Sequence, residues 1–171
     1  MPSEDPRLLI GDAASTLRTL PPESVDMVLT SPPYANALRD YGMADQLGNE
    51  GNVQGWVDNM LRVVEPLKDV LKPSGTLWLN VGDSYSRTPG NGAPKKSLLL
   101  GPERLAIAMV ESGWVLRNKV IWAKPNGLPT AVNDRLRNQW EVVYVFTKSP
   151  TYFFDLDAVR VPHLTRPPKR R

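Results

Sequence analysis

The stretch Val-Leu-Thr-Ser-Pro-Pro-Tyr, Val28 to Tyr34, joins an apolar run to a polar residue, two consecutive prolines and an aromatic ring. Residues 24–30 (SVDMVLT) read as a buried strand, because their apolar side chains form a short run bounded by turn residues. Proline fixes φ at about −65° and has no backbone donor, so strand pairing must stop at Pro32. A stiff corner results, presenting a hydroxyl, carbonyl oxygens and one ring at the end of a strand.

Outward from this corner, helical and extended patterns alternate. RLLIGD (7–12) reads as a short strand leading into a turn, and AASTLRTL (13–20) as a short helix. Residues 35–51 hold three glycines without clear periodicity and read as a mobile loop. Val53, Val57, Leu61, Val64, Leu67, Val70 and Leu71 recur at helical spacing, which predicts one amphipathic helix over 53–72, kinked or split at Pro66. KPSG reads as a stop, and TLWLNVG (76–82) as a buried strand.

Residues 83–97 form a polar, Gly/Pro-rich excursion, and 101–112 a helix closed by Gly113. VLRNKVIWAK (115–124) and WEVVYVFTK (140–148) read as strands flanking a long polar loop. Alternating helices and continuous apolar strands predict an α/β fold with a mostly parallel sheet covered on both faces. The last two strands, within 115–148, are expected to form an antiparallel pair. Trp122, Trp140, Phe153 and Phe154 are expected to pack in the core or a wall.

Composition narrows the chemistry. With 171 residues and 41% hydrophobic content, the chain can build one domain with a proper core. It has no cysteine, which excludes disulfides, thiolate metal sites and a cysteine nucleophile on this chain. A single histidine, His163, speaks against a histidine metal site or a Ser-His-Asp triad. No apolar run approaches a membrane span, and the N-terminus lacks a signal-like region, so a cytoplasmic location is expected. The formal charge of +3, with the basic run RPPKRR at 166–171, is compatible with a polyanionic partner and equally with a solubilising tail.

Three polar groups fall at the carboxyl ends of expected strands: Gly11-Asp12, Ser31-Pro32-Pro33-Tyr34 and Gly82-Asp83-Ser84-Tyr85. Ligands of open α/β sheets bind at that edge, so a shared cleft is expected.

Ser31-Pro32-Pro33-Tyr34 after an apolar strand resembles the catalytic motif of the DNA amino-methyltransferases, which modify N4 of cytosine or N6 of adenine. Gly11-Asp12, LNVGDSYS (79–86), GWVLRNKVIWAKPNGLP (113–129), NDR (133–135), Glu141 and YVFTKSPTYFFD (144–155) are similar to that family's sequence in the same order. The resemblance implies a Rossmann-like methyltransferase sheet, S-adenosyl-L-methionine as cofactor and double-stranded DNA as partner. It implies that the Ser31 hydroxyl and Pro32 carbonyl accept from an exocyclic amine while Tyr34 stacks on a flipped base. A serine at the first position of the motif tilts the expectation towards N4 of cytosine.

The resemblance also places Asp12 and Ala13 beside the cofactor's adenine, with a turn or helix N-cap as the alternative reading of Asp12. Asp83 is expected to line the cofactor or base cleft, or to form a turn. Lys124, Asn126, Arg135 and Arg137 are expected to contact phosphates or the flipped nucleotide, or to lie on a solvated loop. The family's second signature, an Asp-Pro-Phe-x-Gly-Ser-Gly-like cofactor loop, is absent from this sequence. Residues 1–160 therefore resemble the N-terminal catalytic portion, with 161–171 a basic tail or the start of a further region. A C-terminal portion or a second subunit would carry the cofactor loop, unless the chain is a non-catalytic descendant.

Overall fold

Four strands form one sheet in the order β1-β2-β4-β3 in the structure, a computed structural model that describes residues 5–36, 41–43, 45–127 and 131–162. They are β1 (Val25–Thr30), β2 (Leu71–Val81), β3 (Val115–Ala123) and β4 (Trp140–Thr147). β1 and β2 pair in parallel, and β4 lies antiparallel between β2 and β3. Three of the four strands thus share one direction, as the expected α/β fold requires, with the antiparallel pair near the C-terminus.

The helices are α1 (Ala13–Leu17), α2 (Val53–Val64), α3 (Leu67–Val70), α4 (Gly101–Glu111) and α5 (Leu156–Val159). Asn52 caps α2, its side chain accepting from the Gly55 amide, and Val53, Trp56, Val57, Met60 and Val64 form the buried stripe. Pro66 divides the expected long helix in two, because it has no N–H with which to continue the ladder. The stripe packs with Leu105 and Met109 of α4 on Leu77, Leu79 and Val81 of β2 and Val142, Tyr144 and Phe146 of β4. Trp114 closes this core edge-on to Phe146, at 6.3 Å between ring centroids. Among the described residues no helix is long and apolar enough to cross a membrane.

Four expectations are corrected. Residues 7–12 form no strand: Leu8 and Ile10 are exposed, and no neighbouring strand offers a ladder to this segment. KPSG does not precede β2 but bulges within it, since Val25 pairs with Leu71 and Met27 next pairs with Thr76. The sheet is covered by the core helices on one face only, and Met27, Leu29, Val120 and Trp122 stay exposed on the other. Trp140, Phe153 and Phe154 are likewise exposed rather than packed in the core, although Trp140 does line a cavity wall. The run RPPKRR and His163 lie outside the described residues, as do Leu128, Pro129 and Thr130.

Candidate active site

β1 delivers the Ser-Pro-Pro-Tyr corner to the carboxyl edge of the sheet, and three bonds hold it there. The Pro33 carbonyl accepts from the indole N–H of the fully buried Trp56 at 2.9 Å. The Ser84 hydroxyl donates to the Ala35 carbonyl at 2.9 Å, and the Asn36 amide donates to the Tyr85 carbonyl at 3.2 Å. The corner is therefore fixed to α2 on one side and to the segment after β2 on the other. Among the described residues no donor reaches the Pro32 carbonyl, which belongs to a residue lining the adjoining cleft.

That cleft, of about 450 Å³, is lined by Ser31, Pro32, Pro33, Tyr34, Tyr41, Asn80, Lys124 and Glu141. Its floor is a hydrogen-bonded chain. The Ser31 hydroxyl donates to Asn80 Oδ1 at 3.2 Å, and Asn80 Nδ2 donates to the Val142 carbonyl at 3.2 Å. The Tyr34 hydroxyl lies 2.9 Å from Glu141 Oε2 and 3.3 Å from Asn80 Oδ1. Glu141 Oε1 pairs with Lys124. Tyr34, Lys124 and Glu141 also line a second cavity of about 260 Å³, together with Asp83, Leu100 and Trp140. One wall thus divides two adjoining spaces.

Of the three polar strand ends, two meet. Gly82 lies against the Tyr34 ring, and Asp83 shares a cavity with it. Gly11-Asp12 does not join them: Asp12 caps α1, accepting from the Ser15 amide at 2.8 Å, and neither Asp12 nor Ala13 lines the cleft. The Ser15 backbone amide, first among the influences on it, holds the Asp12 carboxyl below its ordinary value. Asp83 accepts from the amides of Ser84, Leu100 and Gly101, and so fixes the start of α4. Burial pushes its carboxyl up, against the opposing pull of those amides.

The basic residues separate in the same way. Lys124 lines both cavities, whereas Asn126 is exposed in the turn after β3 and lines neither. The Arg135 guanidinium lies 3.8 Å from the centroid of the Tyr85 ring, beside a further cavity of about 520 Å³ that Arg87, Lys96 and Asp134 also line. Arg137 instead donates to the Gly127 carbonyl at 2.9 Å, closing its own loop. Sequence reasoning left Asn80 inside a buried strand and gave Glu141 no role. Both lay within stretches that carry the family resemblance, which gave neither of them a role.

A family model described as DNA methylase, of the N6/N4 methyltransferase type, matches residues 25–171. The Type II methyltransferase M.SfiI of Streptomyces fimbriatus is 43% identical over 92% of this chain and 39% of its own length. M.Cfr9I of Citrobacter freundii is 37% identical over 90% of this chain and 58% of its own. The solved PvuII DNA methyltransferase (cytosine-N4-specific) superposes with a TM-score of 0.69 at 28% identity, covering 88% of this chain and 51% of that one. TTHA0409 of Thermus thermophilus, solved with S-adenosyl-L-methionine, shares the fold with a TM-score of 0.62 over 90% of this chain and 61% of that one. The family model and these relatives place the chain among the amino-methyltransferases. The chain belongs to the N6/N4 DNA methylase family, and it spans 39% and 58% of the two curated relatives' lengths.

Proposed function

We propose that this chain is the amine-binding portion of a DNA methyltransferase that transfers a methyl group to the exocyclic N4 of a flipped cytosine. One observation supports the reading: Ser31, Pro32 and Tyr34 line one cleft, at a corner that the Trp56 indole holds through the Pro33 carbonyl. An exocyclic amine is a weak nucleophile because its lone pair is delocalised into the ring. Two fixed acceptors on its protons favour a tetrahedral nitrogen and free that pair. The freed pair would then take the methyl group as its bond to the cofactor's sulfonium sulfur breaks to leave a neutral thioether, and the amine's surplus proton would leave to solvent through the open cleft. Tyr34 offers a ring face to the extruded base.

S-adenosyl-L-methionine supplies an electrophilic methyl group in this reading. Asp12 fits the acceptor role for the cofactor's adenine amine in part, since only one carboxylate oxygen is spent on the Ser15 amide. The Phe-x-Gly-x-Gly-like loop is absent from this sequence, so in this reading a C-terminal portion or a second subunit would supply it. Lys124 at the cleft and Arg135 beside Tyr85 serve the DNA backbone, with Asn126 and Arg137 on the same loop between β3 and β4.

N4 of cytosine is preferred over N6 of adenine because serine leads the motif and because a cytosine-N4-specific enzyme shares the fold and 28% of the sequence. The test is transfer of labelled methyl from the cofactor to DNA, with the cofactor-loop region supplied, followed by nucleoside analysis. N4-methylcytosine formation, abolished by Ser31→Ala and by Tyr34→Ala, is expected. N6-methyladenine as product would overturn the choice of base, and full activity in both variants would overturn the role of the corner.

A further inference from the structure

The polar excursion after β2 meets the loop between β3 and β4 around the cavity of about 520 Å³. Arg87 and Lys96 line it from the excursion, and Asp134 and Arg135 from the loop. Three cations face one carboxylate, so the cavity keeps surplus positive charge even with Asp134 paired to Lys96. The two guanidinium groups are the unspent part. Arg135 lies over the Tyr85 ring and uses one donor, Nη1, on the Leu136 carbonyl. Arg87 is exposed, and its backbone amide, donating to Asn91 Oδ1 at 3.0 Å, fixes the turn that carries it. Its guanidinium has no partner among the described residues.

Placement indicates the ligand. Asn36 lines this cavity too, and it follows Tyr34 of the cleft by two residues. Two residues of chain reach at most about 7 Å, which is comparable with the span from a base to its own phosphate. The bonds from Ser84 to the Ala35 carbonyl and from Asn36 to the Tyr85 carbonyl lock the two spaces together. A base in the cleft thus carries its backbone to the mouth of a cationic cavity. A guanidinium fork matches the two unesterified oxygens of a phosphodiester, and stacking on Tyr85 holds one fork ready.

We infer that Arg87 and Arg135 form a binding site for the phosphodiester adjoining the flipped nucleotide. This rests on the methyl-transfer reading above and extends it from the base to the backbone. The site grips the extruded nucleotide by its charge and so carries no sequence information.

The test pairs a protein change with a DNA change. In the duplex that becomes methylated, methylphosphonate replaces in turn the phosphate on the 5′ and on the 3′ side of the target. Affinity is measured with the cofactor-loop region supplied. One of the two replacements should weaken wild-type binding by about tenfold. In Arg87→Ala and in Arg135→Ala the same replacement should cost less than about threefold. Lys95→Ala removes an exposed cation of the same excursion that does not line the cavity, and should keep the full loss.

No loss at either phosphate, or a loss that stays tenfold in either arginine variant, overturns the inference. A protein that binds duplex DNA but transfers no methyl group with the cofactor loop supplied overturns the reading beneath it. Arg87→Ala then still decides the site on any duplex. A slope of log affinity against log salt lower by about 1 upholds it, and an unchanged slope overturns it too.

Discussion

The Gly82 α-carbon lies flat against the Tyr34 ring, so that a methyl group on it would stand 2.6 Å from Cε2 and 3.0 Å from Cδ2. Nothing at that separation is tolerated, and the ring is the mobile partner. Gly82→Ala should therefore turn the ring away from Glu141 rather than unfold the sheet. Methyl transfer is expected to fall by at least about tenfold, while stability changes by no more than about 1–3 kcal/mol. Thermal melting beside turnover checks this, and an active, equally stable variant would contradict it.

Trp56 joins the core to the corner. Its indole is fully buried, and its N–H supplies the bond to the Pro33 carbonyl. Trp56→Phe keeps an aromatic ring but strands that carbonyl, which should cost about 1–3 kcal/mol for the unmet acceptor, with a further loss for the smaller ring. Urea unfolding measures the total. Activity should fall further than Leu105→Val lowers it at matched stability, because only Trp56 touches the motif.

The two cationic candidates on the long loop should behave differently. Arg135 stacks on Tyr85 beside an open cavity, whereas Arg137 spends donors on the Gly127 carbonyl. Arg135→Ala should weaken DNA binding and lower the slope of log affinity against log salt by about 1. Arg137→Ala should leave that slope unchanged and loosen the loop instead, seen as faster amide exchange around Gly127. Titrations at several salt concentrations separate the two.

A pH dependence follows from Lys96 and Asp134, which tie the excursion after β2 to the same loop at 2.6 Å. The hydrogen bond from Lys96 first, and its charge second, lower the Asp134 carboxyl below its ordinary value. The Asp134 hydrogen bond in turn raises Lys96. Asp134 therefore favours the closed loops above its ordinary value, and this is lost as pH falls through the depressed one. Lys96 does so below its own ordinary value, and this is lost as pH rises through the raised one. Both groups are largely exposed, so the effect is local and salt-sensitive. Amide exchange at Lys96 and Asp134 should accelerate at both extremes, with no change in global unfolding.

Much of this architecture was legible because it is written in local signals. The apolar run before Pro32, the spacing from Val53 to Val70 and the stop at Gly113 each determine an element from its own residues. RLLIGD was misread because a strand needs a neighbour, and its hydrophobicity says nothing of whether one exists. KPSG was misread because a bulge and a stop use the same turn residues, and only the register of Val25 and Met27 against β2 tells them apart. Ser31 and Tyr34 were legible from the motif. Asn80 and Glu141 were not, since their meaning lies in which hydroxyl each one faces across the sheet.

The bond from Tyr34 to Glu141 spans 107 residues of sequence. Closing so long a loop costs entropy that only a nearly complete fold repays, and β1 and β4 can approach only after β2 has paired with both. The β3–β4 hairpin, whose contacts are local, can form early and still hold no working site. The chemistry at the corner thus marks the end of folding: a chain that has left β1 undocked keeps most of its secondary structure and lacks the bond that joins Tyr34 to Glu141.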